Sequence, residues 1–360
     1  MNYNKIIFDL DGVITSELMY WHAAALTVYE LLFEDIDVAH CMENTEKIYN
    51  IIFCDGRTVA LAKSLGVNSN WDLAFIVWCI SRHLGIHSFE AKQFQKTHDF
   101  IMGTNLKAPE LYDYVCGLMD ENELCKKSSY SGTSADGGTA EENTDFNFSC
   151  VNSIVPVRRG DGEAWNKMLL TFQHWFHGTD IYTKKYGNPK GAVGRKGLAS
   201  RQQPIIPLAE LHKTLSKLKE RGITLGIGTG RPADEADYPL ELWDIKKYFT
   251  AEHCATYSDV EQAEFETGRR GELGKPNPFV FLKAAVGDKS TSKQIIQGEY
   301  DRSVTERVLV VGDSIADLRA AKAAGFHFAA VLTGAGGEQM KEKFEKNGAK
   351  NIRRSVKEIY

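Results

Sequence analysis

Lys5-Ile6-Ile7-Phe8-Asp9-Leu10-Asp11-Gly12 is the stretch on which the fold turns. Its first four residues form a short apolar run that ends in an Asp-x-Asp-Gly turn. That is the pattern of a buried strand entering a tight turn. The strand texture then stops. Leu18, Ala25, Tyr29 and Leu32 keep helical spacing, Arg57 to Leu65 is closed by Gly66, and Ser69 or Asn70 caps a segment running to Leu84 and Gly85. Phe89 to Ile101, Pro109 to Met119 and Glu163 to Phe176 read as helices too.

Strand texture returns only at Ile223 to Ile227, Arg307 to Val311 and Phe328 to Leu332. Around these runs, Leu208 to Glu220, Pro278 to Ala285 and Asp317 to Ala324 read as helical, and Trp243 to Tyr248 as helical or nearly so. Strands alternating with helices predict a parallel sheet covered on both faces. The strand near residue 6 has no partner unless it joins that sheet. The expected architecture is therefore α/β: a Rossmann-like core of residues 1–16 and 204–360, interrupted after its first strand by a mostly helical insertion, residues 17–203. Within the insertion, Lys126 to Asn147 is polar and glycine-rich and predicts a flexible loop. Gly187 to Pro207 reads as a return linker.

With 43% hydrophobic residues the chain can build a large core, and its formal charge of −5 provides no global field for nucleic acid or an anionic membrane. The seven cysteines are odd in number and contain no C-x-x-C pair, so neither a zinc site nor a disulfide framework is indicated. The N-terminus lacks an apolar signal core, and the strongest apolar run, Ala74 to Ile80, is too short to span a bilayer. The expectation is a soluble, cytoplasmic protein whose partner is a small molecule. Nothing in the sequence speaks to its oligomeric state.

Four clusters stand at predicted strand ends or in the turns beside them, where ligands of open α/β sheets bind. Asp9-Leu10-Asp11-Gly12-Val13 places two carboxylates on one side of an extended chain, which suits a nucleophile paired with a proton donor. Gly226-Ile227-Gly228-Thr229-Gly230-Arg231-Pro232 offers a hydroxyl and backbone N–H groups to an anion. Gly274-Lys275-Pro276-Asn277-Pro278 fixes one positive charge just before a helix. Val311-Gly312-Asp313-Ser314-Ile315-Ala316-Asp317 sets two carboxylates four residues apart at a strand end, a donor set of the kind magnesium takes. Each cluster also has an ordinary reading. Asp-x-Asp-Gly and Thr-Gly-Arg-Pro are turn chemistry, loop lysines are usually solvated, and acids in a first helical turn offset the helix dipole.

Taken in order, the four clusters resemble the signature of the haloacid dehalogenase superfamily over the whole proposed core. The resemblance implies that Asp9 is a nucleophile forming an aspartyl-phosphate and a metal ligand. It implies that Asp11 is the general acid/base, with its backbone carbonyl on the metal. Thr229, Gly230 and Lys275 would bind phosphate, Asp313 would complete the Mg2+ site, and Asp317 would support it directly or through water. The long insertion is similar to the family's helical cap but larger than usual. The function so implied is magnesium-dependent hydrolysis of a small phosphate monoester. The alternatives are a phosphomutase of the β-phosphoglucomutase type, disfavoured because Gly312-Asp313 stands where such branches often carry Glu-Asp, and a non-catalytic phosphate-binding regulator. A dehalogenase fits less well, because the second aspartate of the first cluster serves phosphoryl transfer. His22, Arg57, Lys190, Arg195 and Lys196 are candidates to meet a second anionic group of the substrate. Trp21, Trp71, Trp78, Trp165 and Trp175 are candidates to stack on it, with core packing as their ordinary role.

Overall fold

The computed structural model describes residues 3–33, 35–67, 69–118, 163–189, 194–269 and 271–359. The chain forms two compact units, Met1–Glu17 with Gln202–Tyr360, and Leu18–Arg201. The predicted loop at Lys126 to Asn147 and the candidate Lys190 lie outside the described residues.

The first unit is built on a six-stranded sheet. Its strands are β1 (Lys5–Phe8), β2 (Thr224–Gly228), β3 (Cys254–Ala255), β4 (Val308–Gly312), β5 (His327–Val331) and β6 (Asn351–Arg353). They lie in the order β3-β2-β1-β4-β5-β6, and every pairing is parallel. The apolar runs have no polar alternation because both faces are covered. Ile7, Val308, Val310 and Ala330 enter one apolar layer, while Ile6, Phe8, Leu309, Val311 and Val331 enter the other.

Gly228 shows how tightly the helix Phe279–Val286 sits on this sheet. A Cβ there would meet Phe281 Cδ1 at 2.6 Å and Ile7 Cγ2 at 3.2 Å. Gly228→Ala should therefore destabilise the fold by about 1–3 kcal/mol, the cost of overpacking, read as a lower midpoint in chemical denaturation.

The segment expected to be helical or nearly so at Trp243 to Tyr248 holds a short 3-10 turn at Lys246–Tyr248. Several core helices had no assignment from sequence, among them Ala233–Leu242 and Tyr257–Thr267. Pro239 inside the first of these masks it in sequence.

The second unit is helical. It includes Leu18–Phe33, Arg57–Ser64, Asn70–His83, Ala91–Thr104, Ala108–Leu118 and Glu163–His177. Ser69 caps Asn70–His83 by accepting the Asp72 N–H. Aromatic side chains fill its interior. Tyr20 stacks on Phe176 at 4.2 Å between ring centroids, and Trp165, Trp175, Phe75, Phe94 and Phe172 are fully buried. Among the described residues, no helix is long and apolar enough to cross a membrane.

Candidate active site

The register of the sheet brings the clusters level. Phe8 pairs with Ile227 on one side and Val311 on the other, so the residues that follow, Asp9, Gly228 and Gly312, end their strands side by side. The sheet order reverses direction at the central pair β1 and β4, which makes their carboxyl ends the expected crevice. The Asp9 N–H donates to Val311 O at 2.9 Å, and its own Oδ1 accepts the Leu10 N–H at 2.8 Å. Gly12 then turns the chain at φ +70, a left-handed value that glycine adopts without strain. Ile14 N and Thr15 N both donate to Leu10 O at 2.8 Å and close the loop.

Asp9, Asp313 and Asp317 each offer a carboxylate oxygen within 4.8 Å of the others. Two glycines make room for this group. A Cβ on Gly334 would fall 1.8 Å from Asp313 Oδ2, and one on Gly12 would fall 2.3 Å from it. Asp317 is completely buried and doubly tied. Its Oδ2 accepts the Ser314 hydroxyl at 2.6 Å in a capping box that opens the helix Ile315–Ala323, and its Oδ1 lies 2.8 Å from Lys275 Nζ. Lys275 also reaches Asp9 Oδ1 at 3.0 Å. Lys275 thus bridges two of the three grouped carboxylates. The donors are all oxygen, so the set fits a hard divalent cation such as Mg2+.

Burial, the largest influence, pushes the Asp9 carboxyl up to about 7; Lys275 opposes the rise, and Asp317 and Asp11 add to it. For Lys275 burial alone would lower the ammonium, but the Asp317 and Asp9 carboxylates outweigh it and hold it above its ordinary value. The lysine is therefore charged.

Asp11 points its side chain elsewhere. Arg231, itself buried, grips it with Nη2 at 2.5 Å from Oδ1 and Nε at 3.1 Å from both oxygens. Thr15 Oγ1 donates to Asp11 Oδ1 at 3.2 Å and accepts Arg231 Nη2 at 2.8 Å, while Arg231 Nη1 bonds Gln202 Oε1 at 2.7 Å. Thr229 is buried at the end of β2, where its N–H donates to Ala255 O and its Oγ1 accepts the Arg231 N–H at 3.2 Å. That leaves the hydroxyl proton to be donated. Gly230 has open space where a side chain would stand.

Residues 157–325 match the family model described as haloacid dehalogenase-like hydrolase. That segment of the chain is similar to the haloacid dehalogenase-like hydrolases. An X-ray structure from the Northeast Structural Genomics Consortium shares this chain's fold with a TM-score of 0.70 and 25% identity, over 99% of this chain and 97% of that one. The protein named "Putative pyrophosphatase PpaX" from Caldanaerobacter subterraneus subsp. tengcongensis is 24% identical over 230 residues, spanning 61% of this chain and 80% of its own.

In the structure, the residues predicted from sequence divide into two groups. Asp9, Lys275, Asp313 and Asp317 stand within one cluster, and Asp11 and Thr229 converge on Arg231 beside it. The candidates in the helical unit are dispersed. His22 is buried, and burial, with Arg201 adding, pushes its imidazole down to about 4, so it is neutral. Arg195 is also buried, bonded to Glu30 at 2.7 Å and stacked 4.1 Å over Trp175. Arg57 is exposed and bonded to Gln95 at 2.7 Å, and Lys196 is exposed. Of the tryptophans, Trp78, Trp165 and Trp175 are core.

Two members of the site had no assignment from sequence. Gly334 carries no signal in a linear reading. Arg231 stood inside the second cluster, yet its partner Asp11 lies far away in the chain.

Proposed function

We propose that this protein cleaves a small phosphate monoester by way of an aspartyl-phosphate on Asp9. The observation that carries the reading is Lys275 Nζ at 3.0 Å from Asp9 and 2.8 Å from Asp317, level with the strand ends. A nucleophilic carboxylate and a fixed cation for phosphate thus share one small space. In the first step an Asp9 oxygen attacks phosphorus, the bond to the leaving oxygen breaks, and Asp11 gives that oxygen a proton. In the second step Asp11 takes a proton from water, the water oxygen attacks phosphorus, and the bond to Asp9 breaks. Arg231 Nε donates to both Asp11 oxygens, and Oδ1 also accepts Arg231 Nη2 and Thr15 Oγ1. Thr229 and the backbone at Gly230 donate to the phosphoryl oxygens, and Lys275 balances their charge. A bound Mg2+, held by the carboxylates of Asp9, Asp313 and Asp317 and the Asp11 carbonyl, would add charge neutralisation at those same oxygens.

Purified protein should turn over an activated aryl phosphate with magnesium, and a panel of small phosphate esters should then reveal a preferred one. Inorganic pyrophosphate belongs on the panel because of the name borne by the Caldanaerobacter relative. Failure to hydrolyse any phosphate compound would overturn the reading. Substrate choice is assigned to the helical unit Leu18–Arg201, since the core cluster addresses only the phosphoryl group.

The proton step gives a sharper expectation. Asp11→Asn should lower turnover of an alkyl phosphate by about 100-fold or more, because its alkoxide cannot leave unprotonated. The loss on an aryl phosphate with an acidic phenol should be smaller. Equal losses on both, measured as kcat, would remove Asp11 from the role of acid.

A further inference from the structure

We propose that Glu264 is a positioning residue that holds the loop presenting Lys275, an inference that rests on the role given to Lys275 above. Glu264 lies in the helix Tyr257–Thr267, which begins just after β3. The first turn of that helix is fixed to the phosphate loop. Tyr257 N donates to Arg231 O at 2.8 Å, and Ser258 Oγ accepts the Ala233 N–H at 3.1 Å. Further along, the Glu264 carboxylate is buried and takes one backbone N–H on each oxygen, Gly271 at 2.7 Å and Leu273 at 2.7 Å. One helix therefore ties down both loops that address the phosphate.

The carboxylate suits this task because a buried anion accepting two N–H groups makes two short, charge-assisted bonds. It pins the backbone at Leu273, whose side chain is also buried in the apolar layer beside the sheet. From that anchor the chain needs only Gly274 to reach Lys275. A lysine whose ammonium must stand 3.0 Å from Asp9 and 2.8 Å from Asp317 tolerates little drift at its Cα. A displacement of about 1 Å at such a group can cost on the order of 100-fold in rate.

The experiment is a double-mutant cycle on an activated aryl phosphate. Glu264→Gln keeps the volume but turns an amide NH2 toward one of the two N–H donors. It should lower kcat by about 10- to 100-fold in the parent protein. In a Lys275→Met background the same change should alter kcat by less than about twofold, because the group it positions is gone. A purely structural role would instead give similar losses in both backgrounds. Should Glu264→Gln not fold, Glu264→Asp, which draws both oxygens back by one methylene, runs the same cycle. Parent-like kcat in the folded variant, or equal losses in the two backgrounds, would overturn the inference. If Lys275→Met itself left turnover intact, the proposed function would fail instead.

Discussion

Asp9→Asn is expected to cut turnover of every phosphate ester by about four orders of magnitude or more, the scale on which losing a nucleophile acts. An amide in place of the carboxylate has no oxygen able to form a stable bond to phosphorus. The fold should survive the change. The Leu10 N–H keeps its acceptor, and a buried carboxyl already raised to about 7 by burial gives way to a neutral group of equal size. Lys275 retains Asp317 as its partner. Net effects of about 1 kcal/mol would shift the melting temperature by only a few degrees in a chain of this size. Parent-like turnover in a folded Asp9→Asn protein would remove the nucleophile from this account.

Metal removal should be nearly as severe. Three carboxylates meet within 4.8 Å, and Lys275 bridges two of them, Asp9 and Asp317. Chelator-treated protein should therefore lose turnover and regain it when magnesium is returned. Asp313 and Asp317 should differ in a direct measurement of magnesium binding by calorimetry. Asp317 is committed to Ser314 and Lys275, whereas Gly12 and Gly334 stand back to leave space for the Asp313 carboxylate. Asp313→Asn should weaken binding by more than about 100-fold, beyond what loss of an outer partner costs. Asp317→Asn should weaken it less, and should destabilise the helix it caps. Full activity in metal-free protein would end the magnesium assignment.

Much of the core was legible because β1, β2, β4 and β5 are short, mostly apolar runs, the mark of strands buried on both faces, and β1, β2 and β4 are closed by glycine or aspartate. The sheet's other two strands were not. β3 has two residues and β6 has three, too few to show any period, and both lie at the edges. The helix Ala233–Leu242 was hidden by Pro239, which reads as a breaker in isolation. In the candidate site, Asp9, Asp11, Thr229, Lys275, Asp313 and Asp317 could be named from four short clusters in sequence, of which Asp9, Asp313 and Asp317 lie within 4.8 Å of one another. The grip of Arg231 on Asp11 could not, since a contact across 220 positions leaves no local trace. The same holds for Glu264, which the sequence reading did not single out and whose oxygens accept the Gly271 and Leu273 N–H groups.

The central claim is that phosphate passes through a covalent bond to Asp9, and trapping tests it most directly. Protein quenched during turnover of a substrate labelled with radioactive phosphate should carry acid-stable, hydroxylamine-labile label. Borohydride reduction of the quenched protein should convert residue 9 from aspartate to homoserine, identified by peptide mass spectrometry. Active protein that accumulates no label under rapid quench, or that carries it on a residue other than Asp9, would contradict the account.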